Sequence, residues 1–424
     1  MTRLLIDCTE TLAKPLNTGI QRVVRQMIGG ALRIGDKADY EIVPVVAVNG
    51  RFHALDESGY EALFAPIHSG DHLTPDGRLR LIAKRLVEHA FLIYRMLQRA
   101  ELSRILKSKA SQYRAEPVRW SAADCVLLID TFWGGSSALT AARRARAQDV
   151  RVVTMIQDII PLTHPEFMSV TLRRAFSSNF RKALSLSHMI LVSAKANKDI
   201  VSHYCRSFGL KARIAHVYLG SDLPCSAESA GGKLELGSSG ADGRTYVILG
   251  TIEPRKGHHI VVRAFEQLWA EGHQETLVIV GKIGWNVDEL VAHLRSHPEL
   301  GRKLHLVHDA SDGEVGSILE KADAAIIAST VEGFGLPLVE ALGRGLPVIA
   351  SNLPVFQEIA GEAALYFQEG DADGLARAIL RSAEIDAELR LAARNFKWPK
   401  WDDAVCNLLA TISNPDRSWT DVLP

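Results

Sequence analysis

The chain has 424 residues, 47% hydrophobic and 23% charged, the proportions of an ordinary soluble globular protein. Lysine plus arginine and aspartate plus glutamate both number 49, so no net field points to nucleic acid, and the length suits two domains, since single cores stop growing near ~250–300 residues. Five scattered cysteines (Cys8, Cys125, Cys205, Cys225, Cys406) have no metal-ligand spacing and fit the reduced thiols of a cytoplasmic protein; the opening "MTRLLIDC" carries no signal peptide, and no apolar run reaches the ~18–20 residues of a membrane span.

Residues 3–8, "RLLIDC", read as a buried parallel strand. A polar loop leads to a helix whose apolar positions Ile20, Val23, Val24, Met27 and Ile28 follow its period, with Thr18 as N-cap and Gly19 at its mouth. A strand, a glycine and a helix start form a common approach to phosphate, although many helices begin with Thr-Gly. "YEIVPVVAV" (40–48) is the next strand. Residues 71–119 interrupt the alternation with eleven Lys/Arg against five Asp/Glu, interleaved with Leu79, Ile82, Leu86, Phe91, Ile93 and Leu97. Such a basic amphipathic segment either docks on its own domain or lies on an anionic membrane surface.

From residue 124 the strand–helix rhythm returns. "DCVLLID" is a strand, "SSALTAARRARAQ" a helix, and "RVVTMIQDIIPLTHPEF" a strand leaving into a loop that carries Gln157, Asp158 and His164. A helix over 171–184, the strand "MILVSA", a helix to Cys205 and "ARIAHVYLGSDL" close a first domain at residue 223. Residues 225–243 are rich in Gly and Ser, the composition of a linker.

The second half alternates regularly. Strands read at "TYVILGT", "ETLVIVGK", "LHLVHD", "AAIIAS" and "PVIAS", and helices at 258–272, 287–296, 312–322, 336–342 and 373–387. Continuous apolar strands between helices mean a parallel sheet covered on both faces, with ligands beyond the strands' carboxyl ends. "GTIEPRKGH" (250–258) sets two adjacent cations, Arg255 and Lys256, at such an end, where they could stabilise charge growing on a nucleotide-diphosphate leaving group. Gly281-Lys282-x-Gly284-Trp285 follows the next strand. In 329–351, "STVEGFGLPLVEALGRGLPVIAS", glycines allow a sharp turn, Pro337 suits a first helical turn, and the helix amides offer an anion site. Glu332 precedes this turn and Glu340 lies one helical turn beyond it. Asp371-Ala-Asp373 stands where an aspartate caps a helix, which is preferred to a metal-binding pair.

E-G-F-G-L-P-x-x-E followed by G-x-P-V-I-A-S resembles the donor-binding signature of the retaining family-4 glycosyltransferases, and G-x-x-E-P-R-K resembles a second element of that family, in the expected order. The resemblance covers most of the chain, most strongly 245–390. It implies an α/β, GT-B fold: two facing Rossmann-like domains, 1–223 on the acceptor side and 224–396 binding the donor, with 397–424 as a helix crossing back to the first. Trp398 and Trp401 would anchor that return.

The resemblance also implies roles. Glu332, Arg255 and Lys256 would be catalytic, Glu332 touching the donor sugar. Gly19, Gln157, Asp158, Gly250, Lys282, Gly333, Phe334, Gly335, Leu336 and Glu340 would line the donor, with Glu340 on the ribose. Lys282 would sit near the nucleotide, and the Gly19 loop beside the diphosphate. The family usually has His-Asp where this chain has Gln157-Asp158. Glutamine can donate a hydrogen bond but is no acid or base, so any proton-transfer role there falls away, and His164 is the substitute to consider.

The expected reaction is sugar transfer with retention, from a nucleotide sugar to a saccharide or polyprenyl-linked glycan in bacterial polysaccharide or O-antigen synthesis. GDP-mannose is the expected donor, with no metal or further cofactor, at the cytoplasmic face of the membrane. A sugar-nucleotide 2-epimerase of the same architecture and a non-catalytic sugar-nucleotide-binding subunit are the alternatives.

Overall fold

The computed structural model describes residues 2–16, 18–65, 90–113, 115–133, 137–168, 170–221, 243–308 and 310–414, without the side chains of 36, 90–99, 171 and 312. Most of the linker stretch, and residues 71–89 of the basic segment, lie outside them. The chain divides into two compact units: Met1–Ser193 and Asn197–Leu219 with Trp401–Leu423, and Ala194–Ala196 with Gly220–Lys400.

The first unit holds an eight-stranded sheet in the order β4-β3-β2-β1-β5-β6-β7-β8. Its strands are β1 (Thr2–Asp7), β2 (Tyr40–Val48), β3 (Arg51–Ala54), β4 (Glu116–Pro117), β5 (Cys125–Leu128), β6 (Arg151–Ile156), β7 (Met189–Val192) and β8 (Arg213–His216). From β2 to β8 the pairing is parallel, and β3 and β4 add an antiparallel edge. β5 and β7 are apolar along their length and fully buried, as strands covered on both faces must be. The edge begins at Asn49-Gly50, whose left-handed φ values of 51° and 70° form the two-residue turn that the right-handed twist of a hairpin favours.

The second unit's six strands, β9 (Thr245–Leu249), β10 (Thr276–Val280), β11 (Leu304–Val307), β12 (Ala324–Ile327), β13 (Val348–Ser351) and β14 (Ala364–Phe367), run parallel in the order β11-β10-β9-β12-β13-β14. That is the doubly wound order in which ligands bind where the winding reverses. The reversal lies between β9 and β12 here, and between β1 and β5 in the first sheet.

Two helices bear on the expectations above. In Ala90–Gln112, Leu102, Leu106 and Ala110, with Tyr113 just beyond, are buried at helical spacing, and Lys109 Nζ donates to the Leu12 carbonyl at 2.7 Å. For the described side chains, then, the basic segment docks on its own unit. The helix Trp401–Ser413 packs on the helix Gly19–Ile34 of the first unit: Trp401 is fully buried, Val405 fills the space beside Gly30, Asp402 pairs with Arg33 at 2.5 Å, and Ser413 meets the Tyr40 hydroxyl at 2.8 Å. Trp398 stays in the second unit, stacked on Phe396 at 5.8 Å and set against Phe334 at 5.9 Å.

Candidate functional site

In the second unit the loops after β9 and β12 bring the predicted cations and acids together. Past β9 the chain makes one tight turn, Pro254–Lys256, and Gly257 at φ 70° opens the helix His258–Ala270. A Cβ on Gly257 would lie 1.9 Å from the carbonyl oxygen of Ala328, just past β12, so only glycine lets the loops approach this closely. The Thr330 N–H donates to the Arg255 carbonyl at 2.8 Å and ties them together.

Glu332 is the hub of the cluster. Its Oε1 accepts from Lys256 Nζ and, at 2.9 Å, from Ser329 Oγ, while Oε2 stands 3.2 Å from Arg255. Arg255 also reaches Glu253 at 2.6 Å. Burial pushes the Glu332 carboxyl up, but Lys256 and Arg255, with the hydrogen bonds of Lys256 and Ser329, outweigh it and hold it at about 2. The two adjacent cations do not stand alone. Each is already paired with a carboxylate, and Glu253, Arg255, Lys256 and Glu332 together are neutral. Adjacent like charges in a partly buried loop need compensation. Glu253 and Ser329 were not singled out from sequence, although both lie inside the quoted motifs.

Gly335, at φ 105°, opens the helix Leu336–Gly343, with Pro337 in its first turn; a Cβ there would come within 2.6 Å of the Phe356 ring. Gly333 and Phe334 are buried in the loop before it, and Glu340 is buried one turn into the helix. The loop after β10 joins the same edge, since Ile252 N–H donates to Lys282 O at 2.8 Å and Gly284 N–H to Ile252 O at 2.9 Å, below the turn at Gly250. Lys282 itself is exposed. All the site residues predicted in this half thus stand at the carboxyl ends of β9, β10 and β12.

Gly19, Gln157 and Asp158 belong to the first unit. Gly19 stands in open space behind the Thr18 cap, whose hydroxyl accepts from Gln21 N–H at 3.4 Å. Gln157 is only 7% exposed, and its Nε2 donates to the Ile129 carbonyl at 3.0 Å. One amide hydrogen expected to face a sugar instead ties the end of β6 to that of β5. Asp158 accepts the Ile160 N–H at 3.3 Å, and His164 sits 3.0 Å from the Thr163 hydroxyl. Asp371 caps its helix by accepting Gly374 N–H at 2.8 Å.

Behind the cations, His258 is 1% exposed, and neither ring nitrogen has a hydrogen-bond partner. Burial first, then Lys256, depresses it from 6.5 to about 3. The unfolded chain therefore binds this proton at higher pH than the folded one, so the stability it contributes is present above ~6.5 and is lost as pH falls towards about 3. His258→Leu should flatten the fall in urea midpoint between pH 7.5 and 5.0; an unchanged fall would refute this.

Among the described residues, Glu266, His293 and His297 offer a metal-like donor set. His297 Nδ1 accepts the Glu299 N–H at 3.1 Å, which places its own proton on Nε2, 3.3 Å from Glu266. That polarity makes a hydrogen bond and opposes a cation.

Residues 238–396 match the family model described as Glycosyl transferases group 1. A serotype-specific mannosyltransferase WbdA of Escherichia coli is 35% identical over 425 residues, 97% of this chain and 46% of the relative. O-antigen chain mannosyltransferase B of Escherichia coli is 29% identical over 261 residues, 58% of this chain and 67% of the relative. The chain spans about half the length of the WbdA relatives it matches. Among solved structures, Anabaena Alr3699/HepE in complex with UDP and glucose is similar with a TM-score of 0.63 at 17% identity, covering 98% of this chain and 100% of that one. Sucrose-phosphate synthase from Thermosynechococcus elongatus gives a TM-score of 0.60 at 17% identity, covering 97% and 96%. At these identities the structural likeness shows the fold.

Proposed function

We propose that this chain, whose residues 238–396 form a glycosyl transferases group 1 domain on a GT-B fold, is a retaining glycosyltransferase moving mannose from GDP-mannose to a glycan hydroxyl. The observation that carries it is the Glu332–Lys256–Arg255–Glu253 cluster at the point where the second sheet's winding reverses. In that reading the donor diphosphate lies over Arg255 and Lys256 and against the amides that open the helix at Gly335, while Glu340 accepts hydrogen bonds from ribose hydroxyls and Glu332 meets the sugar. The bond between the anomeric carbon and the phosphate oxygen breaks as an acceptor hydroxyl attacks from the same face, and the acceptor's proton passes to the departing phosphate. Two fixed cations stabilise the charge that grows on the leaving group, without reorganisation during the step.

Mannose as the sugar rests on the printed names of the relatives, and O-antigen or related polysaccharide as the product on the same names. The nucleotide sugar is a co-substrate, and no further cofactor enters the scheme. The epimerase alternative finds no support among these matches. Among the described residues no helix is long and apolar enough to cross a membrane. Of the basic segment 71–119, the apolar face beyond Ala100 is taken up by the first unit, so contact with an anionic surface at the cytoplasmic face is proposed only for the part before it.

A thermal-shift panel of GDP-, UDP-, ADP- and dTDP-sugars with their free diphosphates tests the donor, since ligand at ~100 times its dissociation constant stabilises by ~2.7 kcal/mol. A shift selective for GDP-mannose is expected, and a selective shift with another base would overturn that donor. In Lys256→Ala, GDP should bind roughly 10- to 100-fold more weakly while guanosine is unaffected. Equal losses for both would count against the diphosphate cradle.

A further inference from the structure

The equal numbers of acids and bases in the whole chain hide a one-signed face on the first unit. The helices Ser137–Arg146, Val170–Leu186 and Lys195–Ser207 link β5 to β6, β6 to β7 and β7 to β8. Right-handed crossovers between neighbouring parallel strands put all three on one face of the sheet. The middle helix packs against both others: Ala183 and Leu186 share a core with Ala141 and Ala145, and the Phe180 ring meets Tyr204 edge-on at 6.2 Å. Asp199 is the single acid in the three helix sequences. On the outer side of the middle helix, residues four apart form two exposed rows, Arg173, Ser177, Arg181 and Ser185 beside Arg174, Ser178 and Lys182. A surface helix gains stability by setting an acid four residues from a base. Here serine takes that place, and the cations of a row stand eight residues, about 12 Å, apart. Among the described residues none of these four cations has a carboxylate partner; Arg181 lies 5.5 Å over the Phe208 ring and Lys182 Nζ donates to Asn179 at 3.5 Å. On the second unit's helix Ala372–Glu384, by contrast, the exposed Arg377 and Arg381 pair with Asp371 at 3.6 Å and Glu384 at 2.8 Å.

We propose that this three-helix face is a docking surface for the phosphates of an anionic lipid bilayer, separate from the basic segment and independent of the transferase reading. Arginine, lysine and serine together present hydrogen-bond donors and positive charge, the complement of phosphate oxygens. The cations are spread over parallel helices, with Arg143 on one side of the middle helix and Arg206 on the other, all exposed. Three helices side by side make a face roughly 25 Å by 20 Å, which a flat polyanion covers and a single acidic peptide does not. The face is also continuous with the helix Ala90–Gln112: the Asn49 side chain accepts from Ser103 at 3.2 Å, and Arg144 donates to the Gly50 carbonyl at 2.8 Å. Between Arg173 and Ser185 the middle helix exposes no apolar side chain. Contact is therefore electrostatic adsorption without insertion, and salt reverses it. It lays the first sheet parallel to the bilayer, so the loops at the carboxyl ends of its strands open along the membrane plane.

The test is cosedimentation of the full chain with phosphatidylcholine vesicles, with and without phosphatidylglycerol, at low and high salt. Wild type is expected to partition onto the phosphatidylglycerol vesicles at low salt, to come off at high salt, and to ignore pure phosphatidylcholine. The double substitutions Arg173→Ser with Arg174→Ser, and Arg181→Ser with Lys182→Ser, should each lower the partition coefficient about tenfold. Arg181 also packs on Phe208, so the first pair carries the test if the second disturbs the fold. Arg263→Ser with Arg295→Ser, exposed positions of the second unit, removes the same charge and should leave partitioning unchanged. Wild type that stays in solution at low salt would overturn the proposal. So would double variants that partition like wild type, which would move the contact to residues 71–99, or an equal loss in the Arg263 and Arg295 control. Soluble polyglutamate that displaces the vesicles at matched charge would assign the face to an acidic protein instead. A nucleotide-sugar thermal shift on the same samples reads the second unit separately, so a failed donor reading leaves this result standing.

Discussion

Glu332→Gln is expected to lower transfer by about a hundredfold to a thousandfold while GDP binds at least as tightly as to wild type. The substitution keeps the shape of the side chain and removes the charge that holds Lys256 and Arg255 in place. Arg255 retains Glu253 at 2.6 Å, but Lys256 loses the carboxylate it pairs with. A ligand with two or more negative charges would then meet less competition for both cations, so affinity for the diphosphate is kept or gained. Turnover needs the cations at a fixed place and the sugar at a fixed distance, and both depend on the hub. Removing one partner of a buried pair costs roughly 3–5 kcal/mol, and the partial exposure of these side chains puts the expected loss at the lower end. The pH dependence has a definite sign. Because the Glu332 carboxyl is held at about 2, below its ordinary 4.5, its stabilisation is present above ~4.5 and disappears as pH falls through about 2. Unfolding free energies of wild type and variant should therefore differ most near neutrality and converge in acid. Wild-type turnover in Glu332→Gln would remove Glu332 from the reaction.

Gly257→Ala should cost about 3 kcal/mol or more and abolish binding of the nucleotide diphosphate. A left-handed residue with a side chain costs ~1–2 kcal/mol before any clash. Here the added carbon would also sit 1.9 Å from a backbone oxygen just past β12, a central strand with no freedom to retreat. The loop must lift, and Lys256 and Arg255, one and two residues upstream, lift with it. Gly272 separates the two contributions: its φ is 93°, yet nothing lies within 4 Å of its Cβ position. Gly272→Ala should show only the conformational cost in urea unfolding and leave GDP binding intact. Equal destabilisation by the two substitutions would mean that the junction between the β9 and β12 loops is not sterically tight.

What the sequence discloses follows from how local each signal is. The parallel strands announce themselves as short apolar runs, and the start of the helix at Gly335 is marked by glycine and proline within a few residues. The edge strand β3 had a signal that went unread, the Asn49-Gly50 pair between two extended segments. The helix expected over 373–387 runs from Ala372 to Glu384, and a second helix that the sequence reading does not contain, Asp386–Asn395, starts after Ile385, where Asp386 binds Arg244. Charge pairing was the least legible. Lys256 and Glu332 are 76 positions apart, so adjacency in sequence showed two cations and hid their partners. The contact of Thr11 with Asp130, across 119 positions, was invisible for the same reason.

The helix Trp401–Ser413 sets the order in which this protein can be finished on the ribosome. The second unit is nearly contiguous and can fold as it emerges. The first unit lacks the helix that covers the stripe around Gly30 until residues 220–400 have been made, on the order of ten to thirty seconds at ~5–20 residues per second. Through that interval an apolar groove on Gly19–Ile34 stands open to solvent and to chaperones. Nascent chains stalled just before Trp401 should therefore be captured and cleaved there far more readily than chains stalled after the helix has docked.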